Sequence, residues 1–280
     1  MIIDVHTHIF PPEIKKDRAR YVTLDPCFAE LYSSPRAKLI TADELIARMD
    51  EAGIDMSVVL NIGWGSHKLC QKTNDYILES VARYPRRLIG FGAVLPRLGD
   101  TAAKEAERCA RGGMKGIGEL RPDPELDFED KEALDPFTEV MKRCNLTLLT
   151  HASEPVGHDY PGKGKLTPAV LYRMIEHLPG INIICAHWGG GLPFYALMPE
   201  VKTALARTYF DTAASPYLYR PEIYEQVIRL VGKEKILFGS DYPVISQERV
   251  LGETKSIALD EETRDLILSG NAVRLFGIKE

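Results

Sequence analysis

Short apolar, β-rich runs alternate with amphipathic helical stretches along the whole of this 280-residue chain, and that alternation leaves few folds open. The runs expected as strands are Ile2–Val5, Met56–Leu60, Leu88–Leu95, Met114–Leu120, Leu146–Thr150, Ile181–Ala186, Thr208–Asp211 and Ile236–Phe238. They lack strict polar alternation, as parallel strands covered on both faces do. Helical patterns fill the gaps. Thr41–Ala52 opens on a Thr-Ala-Asp-Glu capping box and stops at Gly53; Leu69–Arg83, Thr101–Arg111, Lys131–Cys144, Thr167–His177, Pro221–Val231 and Glu261–Phe276 follow. The pattern predicts an α/β chain folded as a single (β/α)8 TIM barrel over residues 1–280. A doubly wound open sheet is the alternative. It would carry a Gly-rich phosphate loop after an early strand, where this chain has His6-Thr7-His8. Phe10–Ile40, rich in proline and charge, reads as a long irregular insertion after the first strand, over the face where a barrel keeps its active site.

Charge and cysteine usage remove several functions. The net charge is −5 and the basic clusters are short and interrupted, so no stripe tracks a nucleic-acid backbone. Five cysteines, widely spread and without a CxxC pair, argue against a disulfide framework and a cysteine-built zinc site. No apolar run approaches the ~20 residues of a membrane helix. The opening Met-Ile-Ile-Asp-Val-His lacks the basic and apolar regions of a signal peptide. A cytoplasmic enzyme with a small-molecule substrate, and without a nucleic-acid or membrane partner, is the expectation.

Four of the seven histidines (His6, His8, His151 and His187) fall at the C-terminal ends of expected strands, which in a barrel converge on one face. His6 and His8, two apart on a strand, point the same way and can reach one ion. Each signal has a plain structural reading when taken singly: an HxH pair can be surface chance, His151 and His187 can be core histidines, and Asp241 can cap a turn. Their joint placement points to a metal centre of His6, His8, His151 and Asp241. Glu119 ends the fourth strand and is either a further ligand or the salt-bridge partner of Arg121. Asp211, at the end of the seventh, either orients a ligand histidine or begins a turn, and the turn is the preferred reading. Trp64, Trp188 and Tyr242 are candidates for an aromatic wall around the substrate, with packing at the rim as the alternative. His67 and His158 fall in loops on the same face, where exposure is the simpler expectation.

Taken together, Asp4-Val-His-Thr-His8, Thr150-His151, Ala186-His-Trp-Gly-Gly190, Phe238-Gly-Ser-Asp-Tyr-Pro243 and Asn271-Ala-Val-Arg-Leu-Phe276 resemble the amidohydrolase superfamily. The chain is most similar to the amidohydrolase-related branch that includes aminocarboxymuconate semialdehyde decarboxylase. The resemblance implies metal ligands at His6, His8 and His151, a ligand and proton-handling carboxylate at Asp241, and an acid/base or second-metal ligand at His187. It also implies a homodimer. The bridging carboxylated lysine of some members has no counterpart, while Glu119 stands near the bridging glutamate of TatD-type nucleases.

Such a site supports two reactions. A bound divalent ion lowers the pKa of water from about 15.7 toward about 7, giving hydroxide at neutral pH. With Asp241 taking the water proton and His187 polarising the substrate oxygen, the leading expectation is a hydrolase of a small organic acid, amide or lactone. The alternative is nonoxidative decarboxylation of an aromatic or muconate-type acid, with His187 as acid/base and Arg121 gripping the substrate carboxylate. A TatD-type phosphoesterase and a non-catalytic binding barrel stand behind these. Zinc is the expected ion, one rather than two, with manganese, iron and cobalt compatible with the same donors.

Overall fold

The computed structural model describes residues 1–121 and 131–278. Among the described residues, eight strands lie side by side in chain order: β1 (Ile3–His8), β2 (Met56–Leu60), β3 (Leu88–Gly92), β4 (Gly116–Leu120), β5 (Thr147–Thr150), β6 (Ile183–Cys185), β7 (Thr208–Asp211) and β8 (Ile236–Leu237). Every neighbouring pair is parallel. The sheet closes on itself where the Val5 N–H donates to the Phe238 carbonyl at 2.8 Å and the His8 N–H to the Tyr242 carbonyl at 2.8 Å. The expected (β/α)8 barrel is therefore the fold.

Period-two alternation on each strand builds two cores. Ile3, Val5, Val58, Leu60, Ile89, Phe91, Leu149, Ile184 and Leu237 form one apolar cluster, with Ala272 and Phe276 of the last helix packed on it. The intervening residues Val59, Leu148, Ile183 and Ile236 belong to a larger cluster with Leu45, Met49, Ile77, Met141, Leu171 and Val227 of the surrounding helices. Both faces of each strand are covered, which is why the strands read as unbroken apolar runs.

Differences from the expected elements have local causes. β3 stops at Gly92 because the Asn74 side chain takes both backbone groups of Ala93, donating to its carbonyl at 2.9 Å and accepting from its N–H at 2.6 Å. Glu261–Phe276 is not one helix. A π turn at Leu266–Gly270 interrupts it and leaves the Ile267 carbonyl to accept the Phe238 N–H at 2.9 Å. A helix at Gln247–Ser256 was not anticipated from the sequence.

The Phe10–Ile40 insertion is ordered rather than irregular. It contains three short helices, Pro12–Lys16, Arg18–Leu24 and Pro26–Tyr32. Proline at the first helical position suits two of them, and Asp25 caps the third by accepting from the Phe28 N–H at 2.9 Å. Phe10, Tyr21, Phe28 and Tyr32 bury together with Trp64, whose ring stacks on Phe28 at 5.3 Å. Helices of five to seven residues are too short for a helical period to show in sequence, but the insertion's aromatic residues supply its core.

Candidate metal centre and active site

Six side chains meet at the C-terminal mouth of the barrel: His6 and His8 on β1, Glu119 on β4, His151 just after β5, His187 beyond β6 and Asp241 beyond β8. All are buried, Asp241 least so at 9% exposure. His6 Nε2 and His8 Nε2 are 3.1 Å apart, and Asp241 Oδ1 is 3.6 Å from the first and 3.2 Å from the second. Glu119 lies between this group and the other two histidines. Its Oε2 is 3.8 Å from His8 Nε2; its Oε1 is 2.9 Å from His151 Nδ1 and 3.7 Å from His187 Nε2.

The arrangement is held from behind. Asp211 accepts from His6 Nδ1 at 2.9 Å through Oδ2, while its Oδ1 accepts from the His187 N–H at 2.8 Å and the Ala213 N–H at 3.0 Å. It therefore fixes two histidines and also shapes the turn, where the sequence reading preferred the turn alone. Because Nδ1 of His6 donates to Asp211, its Nε2 is left to face the cluster. Asp4, on the same strand, accepts from the Ser240 N–H at 2.9 Å, the Ser240 hydroxyl at 2.6 Å and the Gln247 amide at 2.7 Å. This clasp fixes the turn that presents Asp241. His187 (φ 54°) and Asp241 (φ 68°) both sit in the left-handed region. Such strain costs ~1–3 kcal/mol per residue and persists where surrounding bonds over-determine the backbone. Here those bonds are Asp211 to the His187 N–H and the His6 carbonyl to the Asp241 N–H at 2.9 Å.

Charge complementarity outweighs burial at His6, His187, Glu119 and Asp241, but not at His151. Burial alone would lower the His6 imidazolium, but Asp211, Asp241 and Glu119 outweigh it and raise the group to about 10. Burial likewise opposes the charged form of His187, yet Glu119 and Asp241 raise it to about 9. Burial pushes the Glu119 carboxyl up, and the histidines around it, His151 first, hold it well below the usual range. Asp241 is lowered against burial by His8, His6 and His187. His151 is lowered, first by burial and then by Arg121. Ligand atoms of His6, His8 and Glu119, and those of Glu119, His151 and His187, lie within 4.8 Å of one another. Two facing imidazole nitrogens with ionised carboxylates beside them form a donor set that fits a divalent metal ion.

The cluster opens into a cavity of about 400 Å³ whose wall includes Arg121, Tyr32, Ile62, Tyr160 and Tyr217. Arg121 does not pair with Glu119 in the way the sequence allowed. Its Nη2 donates to the Gly162 carbonyl at 2.6 Å and lies 3.7 Å from half-exposed Glu30, so its side chain remains a buried cation on the cavity wall. Gly63 makes room for it: a Cβ there would sit 2.7 Å from the Arg121 Cβ and 2.9 Å from its backbone nitrogen.

The expected tryptophan wall is absent from this cavity. Trp64 is 1% exposed, packs within the insertion core and donates to the Asn61 side chain. Trp188 is fully buried against Tyr224, its indole N–H donating to Ser215 at 3.1 Å. Tyr242 also belongs to the core. Each buried indole finds a side-chain acceptor for its N–H, and tyrosines take the wall positions instead. Tyr32 and Tyr160 lie on segments the sequence marked only as loop, so no periodicity pointed to them. His158 lines the cavity; His67 does not.

The family model for amidohydrolases matches residues 3–278. The 2-amino-3-carboxymuconate-6-semialdehyde decarboxylase of Dictyostelium discoideum is 24% identical, the match covering 99% of this chain and 91% of that one. The 6-methylsalicylic acid decarboxylase of Penicillium expansum is 28% identical over 98% of this chain and 95% of its own. Among solved structures, 5-carboxyvanillate decarboxylase from Novosphingobium aromaticivorans, with bound manganese and 3-methoxy-4-hydroxy-5-nitrobenzoic acid, superimposes with a TM-score of 0.83 at 18% identity, covering 99% of this chain and 97% of that one.

Proposed function

The chain belongs to the amidohydrolase family, and on that premise we propose that it is a metal-dependent, nonoxidative decarboxylase of an aromatic or muconate-type carboxylic acid. The observation that carries this reading is the pairing of a buried cation, Arg121, with the histidine–carboxylate cluster across one small cavity. Hydrolysis, the leading expectation from the residues, gives way because full-length relatives act as decarboxylases and because Arg121 lines the same cavity as the cluster, where an acid would compete with half-exposed Glu30, its ion-pair partner at 3.7 Å.

His6, His8 and Asp241 would hold the ion, with Glu119 and His151 completing the set; manganese is favoured over zinc by the solved relative. Bound there, the ion supplies Lewis-acid polarisation of the substrate's oxygens. Arg121 orients the acid by a charge-assisted hydrogen bond. His187 keeps its Nδ1–H on the Ala213 carbonyl at 3.1 Å, which leaves Nε2 facing the cavity. From there it gives its proton to the carbon that bears the carboxylate. The carbon–carboxylate bond then breaks, its electron pair returns to the unsaturated system and carbon dioxide leaves. His187 regains its proton from solvent, so the net change is one proton in and one carbon dioxide out. The buried site limits competing water.

The test is to offer manganese-loaded protein a panel of hydroxybenzoic and muconic acids beside lactones, esters and amides. Carbon dioxide release from at least one acid is expected. Turnover of a lactone, ester or amide, with none of the acids, would return the site to hydrolysis.

A further inference from the structure

Backbone fixes the position of Arg121, and a side chain from outside the cavity faces its charge. Gly162 (φ +90°) and Gly164 (φ +68°) close on the guanidinium: a Cβ at Gly162 would sit 3.4 Å from Nη1, and one at Gly164 3.1 Å from Nη2. Nη2 donates to the Gly162 carbonyl at 2.6 Å. Among the described residues its ion-pair partner is Glu30, 3.7 Å from Nη2, on the insertion helix Pro26–Tyr32. The partners differ in exposure: the Arg121 side chain is 9% exposed and that of Glu30 49%. Glu30 Oε1 also accepts from the Gly162 N–H at 3.2 Å. Glu30 does not line the cavity, although its neighbours Leu31 and Tyr32 do. An acid within the cavity and Glu30 outside it therefore compete for the charge of one guanidinium.

That competition bears on the chemistry. Decarboxylation removes the charge that Arg121 binds. As the carbon–carboxylate bond breaks, its electron pair enters the unsaturated system and the carboxylate becomes neutral carbon dioxide. A cation that grips the carboxylate alone stabilises the bound acid more than the transition state, and so slows the step. A second carboxylate beside the cation reverses this. It weakens the grip on the acid, and it pairs with the guanidinium again as the acid loses its charge. We propose that Glu30 is a positioning residue that acts through Arg121 in this way, loosening the bound acid while leaving the transition state as well held as before. The kinetic half of this rests on the decarboxylase reading; the competition for Arg121 stands on the geometry alone.

Two measurements on the manganese-loaded full chain test it. The first is isothermal titration with benzoate and with its uncharged counterpart, benzamide. Glu30→Gln keeps an oxygen for the Gly162 N–H and removes the charge. It should tighten benzoate roughly two- to fivefold, the range of a half-exposed ion pair, and leave benzamide unchanged. Glu30→Ala should do the same, so the result does not hang on one variant. In an Arg121→Gln background, Glu30→Gln should leave benzoate unchanged. The second measurement is steady-state turnover of an acid that the wild type decarboxylates. Glu30→Gln should lower kcat and KM by the same factor and leave kcat/KM unaltered. Failure of benzoate to bind, no gain in either variant, an equal gain for benzamide, or a gain that persists without Arg121 would overturn the competition. A fall in kcat/KM, or a lower KM with kcat unchanged, would overturn the kinetic role. If no acid turns over while benzoate still gains through Arg121, the decarboxylase reading falls and the competition stands. Turnover without that gain means the reverse.

Discussion

Single residues carry the chemistry, and two of them give sharp expectations. Arg121 is a buried cation whose neighbours leave it facing the cavity. Losing a hydrogen bond to a charged group costs about 1.5–3 kcal/mol, and ~1.4 kcal/mol is tenfold in affinity. Arg121→Ala should therefore raise KM for an acid substrate roughly 10- to 100-fold in steady-state assays; an unchanged KM would remove Arg121 from the binding step. His6 is the second. Its Nε2 carries a proton in the metal-free protein because its pKa is raised to about 10 against the burial that opposes it. A metal ion must displace that proton. Manganese affinity should rise by about tenfold per pH unit between pH 7 and 9 in competition with a chelator, because protonation of His6 opposes the ion below its pKa. A flat profile would show that His6 Nε2 is not a ligand.

At the scale of elements, strand ends and the turns that follow them deliver the site, and their supports were only partly legible in the sequence. His6, His8, Glu119, His151 and His187 could be read at strand ends because short apolar runs terminate in them. The function of Asp211 was half visible: its place at the end of β7 was clear, but two histidines from distant segments converge on it only in three dimensions. Asp4 was quoted as part of a motif without a role, since its partners Ser240 and Gln247 lie more than 230 residues away. It joins β1 to the turn beyond β8. Its carboxyl is raised by burial against four hydrogen bonds. Asp4→Ala strips partners from buried Ser240 and Gln247, at about 1–3 kcal/mol for each group left unsatisfied. We expect a loss of about 3 kcal/mol in chemical denaturation together with weaker metal retention. Wild-type stability with full metal content would mean that the clasp does not position Asp241.

For the whole molecule, the barrel was the most legible feature because eight repeats of one pattern reinforce each other, whereas aromatic placement was the least. Trp64 and Trp188 sit in sequence beside site residues yet turn inward, while Tyr32 and Tyr160 reach the cavity from an insertion and a loop. Sequence neighbours of a site share its backbone, not its direction. The reaction class also depends on the molecule as a whole: one metal-binding rim supports water activation or carbon protonation, and the wall decides which. Decarboxylation differs from hydrolysis in where solvent hydrogen ends. The decisive measurement is turnover of a carboxyl-labelled aromatic acid in deuterium oxide by chelator-stripped protein, before and after manganese is restored. We expect one labelled carbon dioxide per product, one deuterium on the carbon that bore the carboxylate, and both only with the metal present. Fully loaded protein that releases no carbon dioxide from any acid, or releases it equally after stripping, would contradict a metal-dependent decarboxylase.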